Sequence, residues 1–265
     1  MKIDLIGKTA IVTGGYGAIG SAMCEYFVEA GANVVVVGRN AKKGEDFVKH
    51  LTEDLGGKAL YVRGDVSSYE SMENMVAETV KTFGSVDILI NNAGINVGPS
   101  GRAYIDGFSE EDWDHIIHTD LYGVYYCSKA VIKQMIAQGN GGRIVNIASI
   151  VGEASLRNQC AFNAAKAGVI NMTKTMAIEL AKHNINVNCI CPGSVMFELT
   201  RELFYADPAG AEKMMSHIPQ HRAGDPEDIA GMTIMLSSDK IKYMTGDVVT
   251  IDGGWIAGYS CDGIE

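Results

Sequence analysis

The run Thr13-Gly14-Gly15-Tyr16-Gly17-Ala18-Ile19-Gly20 follows a β-branched segment and opens a helical pattern. Glycine permits a sharp turn and lets backbone N–H groups approach an anion, and a helix N-terminus favours a pyrophosphate there. About twenty residues on, Gly38-Arg39-Asn40 ends the second strand-like run with a cation and no acid. An acidic residue at that point holds ribose hydroxyls and repels a 2′-phosphate, so Arg39 favours NADP, with NAD as the alternative. A second grouping lies further along. Phe162 and Lys166 are four apart and share one helix face, and Ser149 closes the strand-like run Arg143–Ala148 where it can meet them. The ring of Phe162 brings no ionisable proton to that meeting point.

Seven short runs rich in Val, Ile and Ala have to position these residues. They are Thr9–Val12, Asn33–Val37, Ala59–Arg63, Asp87–Ile90, Arg143–Ala148, Asn186–Cys191 and Val248–Ile251. Nearly continuous apolar character is expected of strands covered on both faces. Helical patterns alternate with them over Ile19–Ala30, Lys42–Leu55, Tyr69–Phe83, Ser109–Ala137, Ala161–His183 and Pro226–Ser237. Ser67-x-x-Glu70 reads as a capping box, and Asp225-Pro226 sets a capping carboxylate before a proline at the first helical position. Such alternation predicts an α/β, doubly wound Rossmann-type fold with a mostly parallel seven-stranded sheet, one domain over 1–265. The stretch from about 194 to 222 breaks the rhythm and carries Met196, Phe197, Leu199, Leu203, Phe204, Tyr205, Met214 and Met215. It reads as a lid over a site at the carboxyl ends of the strands.

Composition narrows the classes. A net charge of −10 over 265 residues disfavours nucleic acid as a partner. The six cysteines are scattered, and Cys189-Ile190-Cys191 has no second Cys or His pair nearby, so no metal site is expected. Small buried thiols in a reducing cytosol fit better. The N-terminus starts a strand at once, without a basic-then-apolar segment, and no apolar run approaches a membrane span. A soluble cytoplasmic protein is expected.

The chain resembles the short-chain dehydrogenase/reductase family across essentially its whole length. The turn from Thr13 to Gly20 is similar to the family's Thr-Gly-x-x-x-Gly-x-Gly, with Ala18 at the middle glycine. Asn91-Asn92-Ala93-Gly94 is the family's turn after the fourth strand, Asp65-Val66 resembles the pair flanking the adenine, and Pro192-Gly193 the turn that walls the nicotinamide. Thr245-Gly246-Asp247 and Asp252-Gly253-Gly254 continue the likeness. The resemblance implies cofactor contacts at Gly14, Tyr16, Gly17, Ile19, Gly20, Arg39, Asp65, Val66, Asn92, Ala93, Gly94, Lys166, Pro192, Gly193 and Val195. It also implies interconversion of an alcohol and a ketone by hydride transfer, and a homotetramer packed through the two long helices. Phe197 stands where the family often has a carboxamide-binding Thr, a contact a phenyl ring cannot make.

In the family a Tyr is the general acid–base, a Lys holds the nicotinamide ribose and lowers the Tyr pKa, a Ser binds the substrate oxygen and an Asn holds a relay water. Here these positions are Phe162, Lys166, Ser149 and Asp120. Loss of the phenol's proton transfer costs roughly 10²–10⁴-fold, and loss of its bond to the developing oxyanion adds to that. A carboxylate at 120 accepts from water or Lys166 but cannot donate as an amide does. Three readings stand: a deliberate Tyr-to-Phe change in an active enzyme, a natural module that binds without turnover, or another acid–base group such as Tyr122, Tyr125 or Tyr126. The first is favoured, because a site relieved of function has no need to keep Ser149, Lys166 and the cofactor turns. Arg102 and Arg157 lie in loops within reach of a substrate, with a solvated role preferred for both. His115 and His118 are expected on an exposed helix face.

Overall fold

In the computed structural model, which describes residues 3–197, 200–201 and 205–258, seven strands form one sheet in the order β3-β2-β1-β4-β5-β6-β7. They are β1 Thr9–Thr13, β2 Asn33–Gly38, β3 Lys58–Arg63, β4 Ile88–Asn91, β5 Gly142–Ile147, β6 Ile185–Pro192 and β7 Val248–Ile251. Every pairing is parallel, so the sheet is wholly and not just mostly parallel. β1, β2 and β4 are almost entirely buried, as their unbroken Val and Ile runs require once helices cover both faces.

The helices are α1 Ala18–Glu29, α2 Ala41–Lys49, α3 Tyr69–Phe83, α4 Glu110–Ile117, α5 Gly123–Gln138, α6 Cys160–Leu180, α7 Pro208–Met215 and α8 Pro226–Ser237. Two cores form, one on each side of the sheet. Phe27 and Met23 of α1 pack with Ile229 and Ile234 of α8 on one face. Met72 and Met75 of α3 pack with Val131 and Met135 of α5 on the other.

Three local expectations change. The cap of α3 is Ser68, whose Oγ accepts from Ser71 N at 3.3 Å, while Ser67 donates both N–H and Oγ to Asp65. The helical pattern over Lys42–Leu55 ends as α2 at Lys49 and continues as a π turn, His50–Asp54. The single helix expected over Ser109–Ala137 is two helices joined by a π turn, His118–Tyr122, which the apolar period cannot register because the chain stays helical through it. The capping box of α8 is present, with Asp225 N donating to Asp228 Oδ2 at 2.9 Å.

The segment proposed as a lid leaves Val195 in a lone bridge with Gly224, then carries α7, capped by Asp207. Leu199, Leu203 and Phe204 lie outside the described residues, as does Cys261. The five cysteines described are unbridged, and burial pushes the Cys24 and Cys127 thiols up from their ordinary value. Among the described residues no helix is long and apolar enough to cross a membrane.

Candidate active site

The strand order reverses between β1 and β4, and that switch point is where an open α/β sheet offers a crevice at its carboxyl ends. Both edges of the crevice are tied together there. Thr13 Oγ1 accepts from Asn92 N and Ala93 N, each at 3.0 Å, and Asn92 Nδ2 donates to Thr13 O at 2.9 Å. The glycine turn is thereby clamped to the turn after β4. Gly20, in the first turn of α1, has no room for a side chain: a Cβ there would run into the Gly14 carbonyl. Its hydrogen lets α1 start close against the turn, and the first N–H groups of a helix favour an anion there.

Tyr16 crosses from this turn to the end of β2. Its hydroxyl accepts from Asn40 N at 2.8 Å, and its ring lies against Gly38. This tie between the glycine turn and the Arg39 segment leaves no trace in the sequence pattern. Asp65 faces the same region from beyond β3. Burial opposes its ionisation, but hydrogen bonds from the Ser67 hydroxyl and N–H, with the Arg39 charge, hold its carboxyl below the ordinary range. Val66 packs under Gly123 of α5.

A cavity of about 650 Å³ opens beside the turns after β4, β5 and β6. Asp120, Ser149, Phe162, Lys166, Ile19, Asn92, Gly94, Pro192, Gly193 and Val195 all line it. Of the other residues expected to contact a cofactor, Gly14, Tyr16, Gly17, Gly20, Arg39, Asp65, Val66 and Ala93 are not on its wall; they lie at and beyond the ends of β1 to β4. Arg102 also lines the cavity, and burial lowers its pKa from the ordinary guanidinium value; Arg157 does not reach it.

Lys166, on α6, is buried. Its Nζ donates to Ile147 O at 3.2 Å and lies 5.3 Å from the centre of the Phe162 ring. Asp120 Oδ2 is 3.0 Å from the same nitrogen, an ionic contact outside good hydrogen-bond alignment, while Oδ1 accepts from Ile95 N at 2.8 Å. The π turn delivers Asp120 here, since its wider coil moves the side chain out of the α-helical register. Gly94 covers the pair: a Cβ there would sit 2.9 Å from Asp120 Oδ2 and 3.3 Å from Lys166 Nζ. Burial pushes the Asp120 carboxyl above its ordinary range, against the pull of the Lys166 charge. Ser149, in extended backbone, accepts from Val151 N at 3.3 Å, and its Oγ lies 3.5 Å from Pro192 O.

Behind the cavity, Asn91 Nδ2 donates to Asn146 Oδ1 at 2.8 Å and Asn146 Nδ2 to Thr173 Oγ1 at 2.9 Å. This buried chain links β4 and β5 to α6 and fixes the height of Lys166. Sequence reasoning missed it; adjacent asparagines inside apolar strands were the signal available. Tyr122, Tyr125 and Tyr126 pack against one another, and none lines the cavity. His115 and His118 are exposed. Among the described residues no group of three or more His, Cys, Asp or Glu is placed to hold a metal ion.

A doubly wound parallel sheet with a clamped glycine turn at its switch point defines the class of open α/β proteins that bind dinucleotides. A family model described as enoyl-(acyl carrier protein) reductase matches residues 15–256. The 3-oxoacyl-[acyl-carrier-protein] reductase of Chlamydia pneumoniae is 39% identical over 254 residues, covering 96% of this chain and 99% of that protein. The 2-dehydro-3-deoxy-D-gluconate 5-dehydrogenase of Escherichia coli is 36% identical over 254 residues, 96% of this chain and 97% of that one. A crystal structure of a short-chain type dehydrogenase/reductase from Mycobacterium marinum superimposes with a TM-score of 0.89 at 32% identity, covering 96% of this chain and 98% of that one. The chain belongs to the short-chain dehydrogenase/reductase family, and its scaffold is that of an oxidoreductase.

Proposed function

We propose that the protein is built to interconvert a secondary alcohol and a ketone by hydride transfer with NADP(H), NAD(H) being the alternative, and that Phe162 holds it nearly inactive. The observation that carries this reading is one cavity in which Ser149, Phe162 and Lys166 meet beside Gly94, Pro192 and Gly193. The residues present fit a flat ring and its ribose, since Gly94, Pro192 and Gly193 bring bare backbone to the wall of the cavity that Lys166 also lines. A bound nicotinamide supplies or accepts the hydride. In this reading Lys166 holds the ribose through protons that Ile147 O does not take, and Ser149 donates to the substrate oxygen. Phe162 keeps the shape of a phenol and so keeps the substrate positioned, but supplies no proton.

Cofactor preference rests on Arg39 in place of an acid, with the Asn40 cap of α2 beside it. The segment around 194–222 acts as the lid, in keeping with Phe197, Thr200 and Met214 on the cavity wall. Exposed Trp113, Tyr122, Tyr125 and Ile178 on and between α4, α5 and α6 support a homotetramer packed through those helices. Unbridged cysteines suit the cytoplasm.

A second reading, a natural cofactor- and ligand-binding module without turnover, is favoured by the Asp120–Lys166 ion pair. Phe162 and Asp120 both depart from the family pattern and both touch Lys166, as joint adaptation would produce. Phe162→Tyr separates the two. A dehydrogenase disabled at one atom gains at least 10²-fold in kcat with little change in cofactor affinity. Absence of any gain on a broad alcohol and ketone panel, or fast turnover by the chain as it stands, would overturn the first reading.

A further inference from the structure

We infer that the substrate is a secondary alcohol or ketone carried on a largely hydrocarbon skeleton, and not a polyhydroxylated one; this rests on the oxidoreductase reading above. The wall beyond the cofactor end is apolar: Ile95, Ile150, Leu156, Phe197, Met214 and Trp255 come from five separate segments of the chain. Trp255 is held in place by stacking with His217, ring centres 6.2 Å apart and planes 9° from parallel.

Most of the neutral polar side chains on the same wall are spent on one another or on the backbone; the charged Arg102, Asp120 and Lys166 stand on it as well. Gln159 Oε1 takes the Asn96 amide at 2.7 Å, and Asn96 Oδ1 takes Val97 N at 2.9 Å. The Thr200 hydroxyl lies 2.7 Å from Val195 O and accepts from Phe197 N at 2.9 Å. Ser194 Oγ is bonded to the Tyr205 hydroxyl at 2.7 Å, and Asn92 Nδ2 to Thr13 O at 2.9 Å. A sugar acid brings a hydroxyl on nearly every carbon, and each loses its water on entry. With these neutral partners engaged, most of the buried hydroxyls would be left unsatisfied and would lose more on leaving water than they regain. A hydrocarbon ring pays no such cost and gains by leaving water. The Ser149 hydroxyl beside Phe162 makes only a long bond, 3.5 Å, to Pro192 O, which a substrate oxygen can displace. The cavity, at about 650 Å³, holds a nicotinamide and a fused-ring body together. The relative named as acting on a deoxygluconate thus shares the scaffold without setting the substrate.

The test uses the protein as it stands, saturated with NADP(H) and titrated calorimetrically with trans-1-decalone and, separately, with D-gluconate. The decalone is expected to bind at least tenfold tighter. Leu156→Asn and Met214→Gln, each checked for cofactor binding and thermal unfolding, should weaken decalone binding at least tenfold. Cofactor binding with gluconate as tight as decalone, or variants that leave decalone affinity unmoved, would sink the substrate inference alone. Failure to bind either nicotinamide cofactor overturns the dehydrogenase reading and this inference with it.

Discussion

Asp120 Oδ2 lies 3.0 Å from Lys166 Nζ, with the two side chains 0% and 6% exposed. Two charges taken this far out of water are held only because each has a second partner, Ile95 N for the carboxylate and Ile147 O for the ammonium. The pair is close to neutral as a unit, so the positive field at the Phe162 ring is weaker than a lone lysine would produce.

The Asp120 carboxyl titrates above its ordinary range because burial disfavours its charge. The native state therefore binds that proton more tightly than the unfolded chain. The linked stability is complete below the ordinary carboxylate value of about 3.9 and is lost as pH rises through the folded value. Asp120→Asn removes the titration, so the variant's stability relative to the parent should climb with pH across that window. Urea unfolding at a series of pH values measures this, and a flat difference would contradict it.

Breaking the pair from one side should be costly. Lys166→Met leaves a buried carboxylate and is expected to destabilise by about 3–5 kcal/mol near neutral pH, less where Asp120 takes a proton. Lys166→Met with Asp120→Leu should cost less than the sum of the single changes. Strict additivity in a denaturation cycle would mean the contact carries no coupling.

Arg39→Asp should reverse the cofactor preference. The carboxylate repels a 2′-phosphate and accepts from ribose hydroxyls, and its charge no longer offsets that of Asp65. Fluorescence titration with both cofactors reads the ratio. Tighter NAD(H) binding by the parent chain would refute the assignment of Arg39.

Gly20→Ala should impair dinucleotide binding at least tenfold, since its Cβ would meet the Gly14 carbonyl and displace the turn. Overpacking of this kind costs roughly 1–3 kcal/mol, readable as a lowered unfolding midpoint. Retained affinity would show that the turn does not form the phosphate site.

Much of this was legible in the chain itself. Strand runs such as Asn33–Val37 and Asp87–Ile90 are visible because a sheet covered on both faces leaves no polar period to confuse them. The glycine turn, the Asn-Asn-Ala-Gly turn and the Phe162–Lys166 spacing are local, set by backbone freedom and helix pitch, so residue order alone fixes them. The π turn at His118–Tyr122 was not legible, because it inserts into a pattern that is helical on either side.

What only the tertiary structure decided is which groups from distant segments are neighbours. Asp120 arrives from the π turn before α5, Lys166 from α6 and Gly94 from the turn after β4, and their contact makes an ion pair that no spacing announces. The same holds for Tyr16 over Gly38 and for the Asn96–Gln159 bond that spends the cavity's polar groups. Composition and pattern specify which residues are present and which local shape each segment takes. The charge state and polarity of a site depend on distances across the sheet, and those exist only after the crossovers have closed.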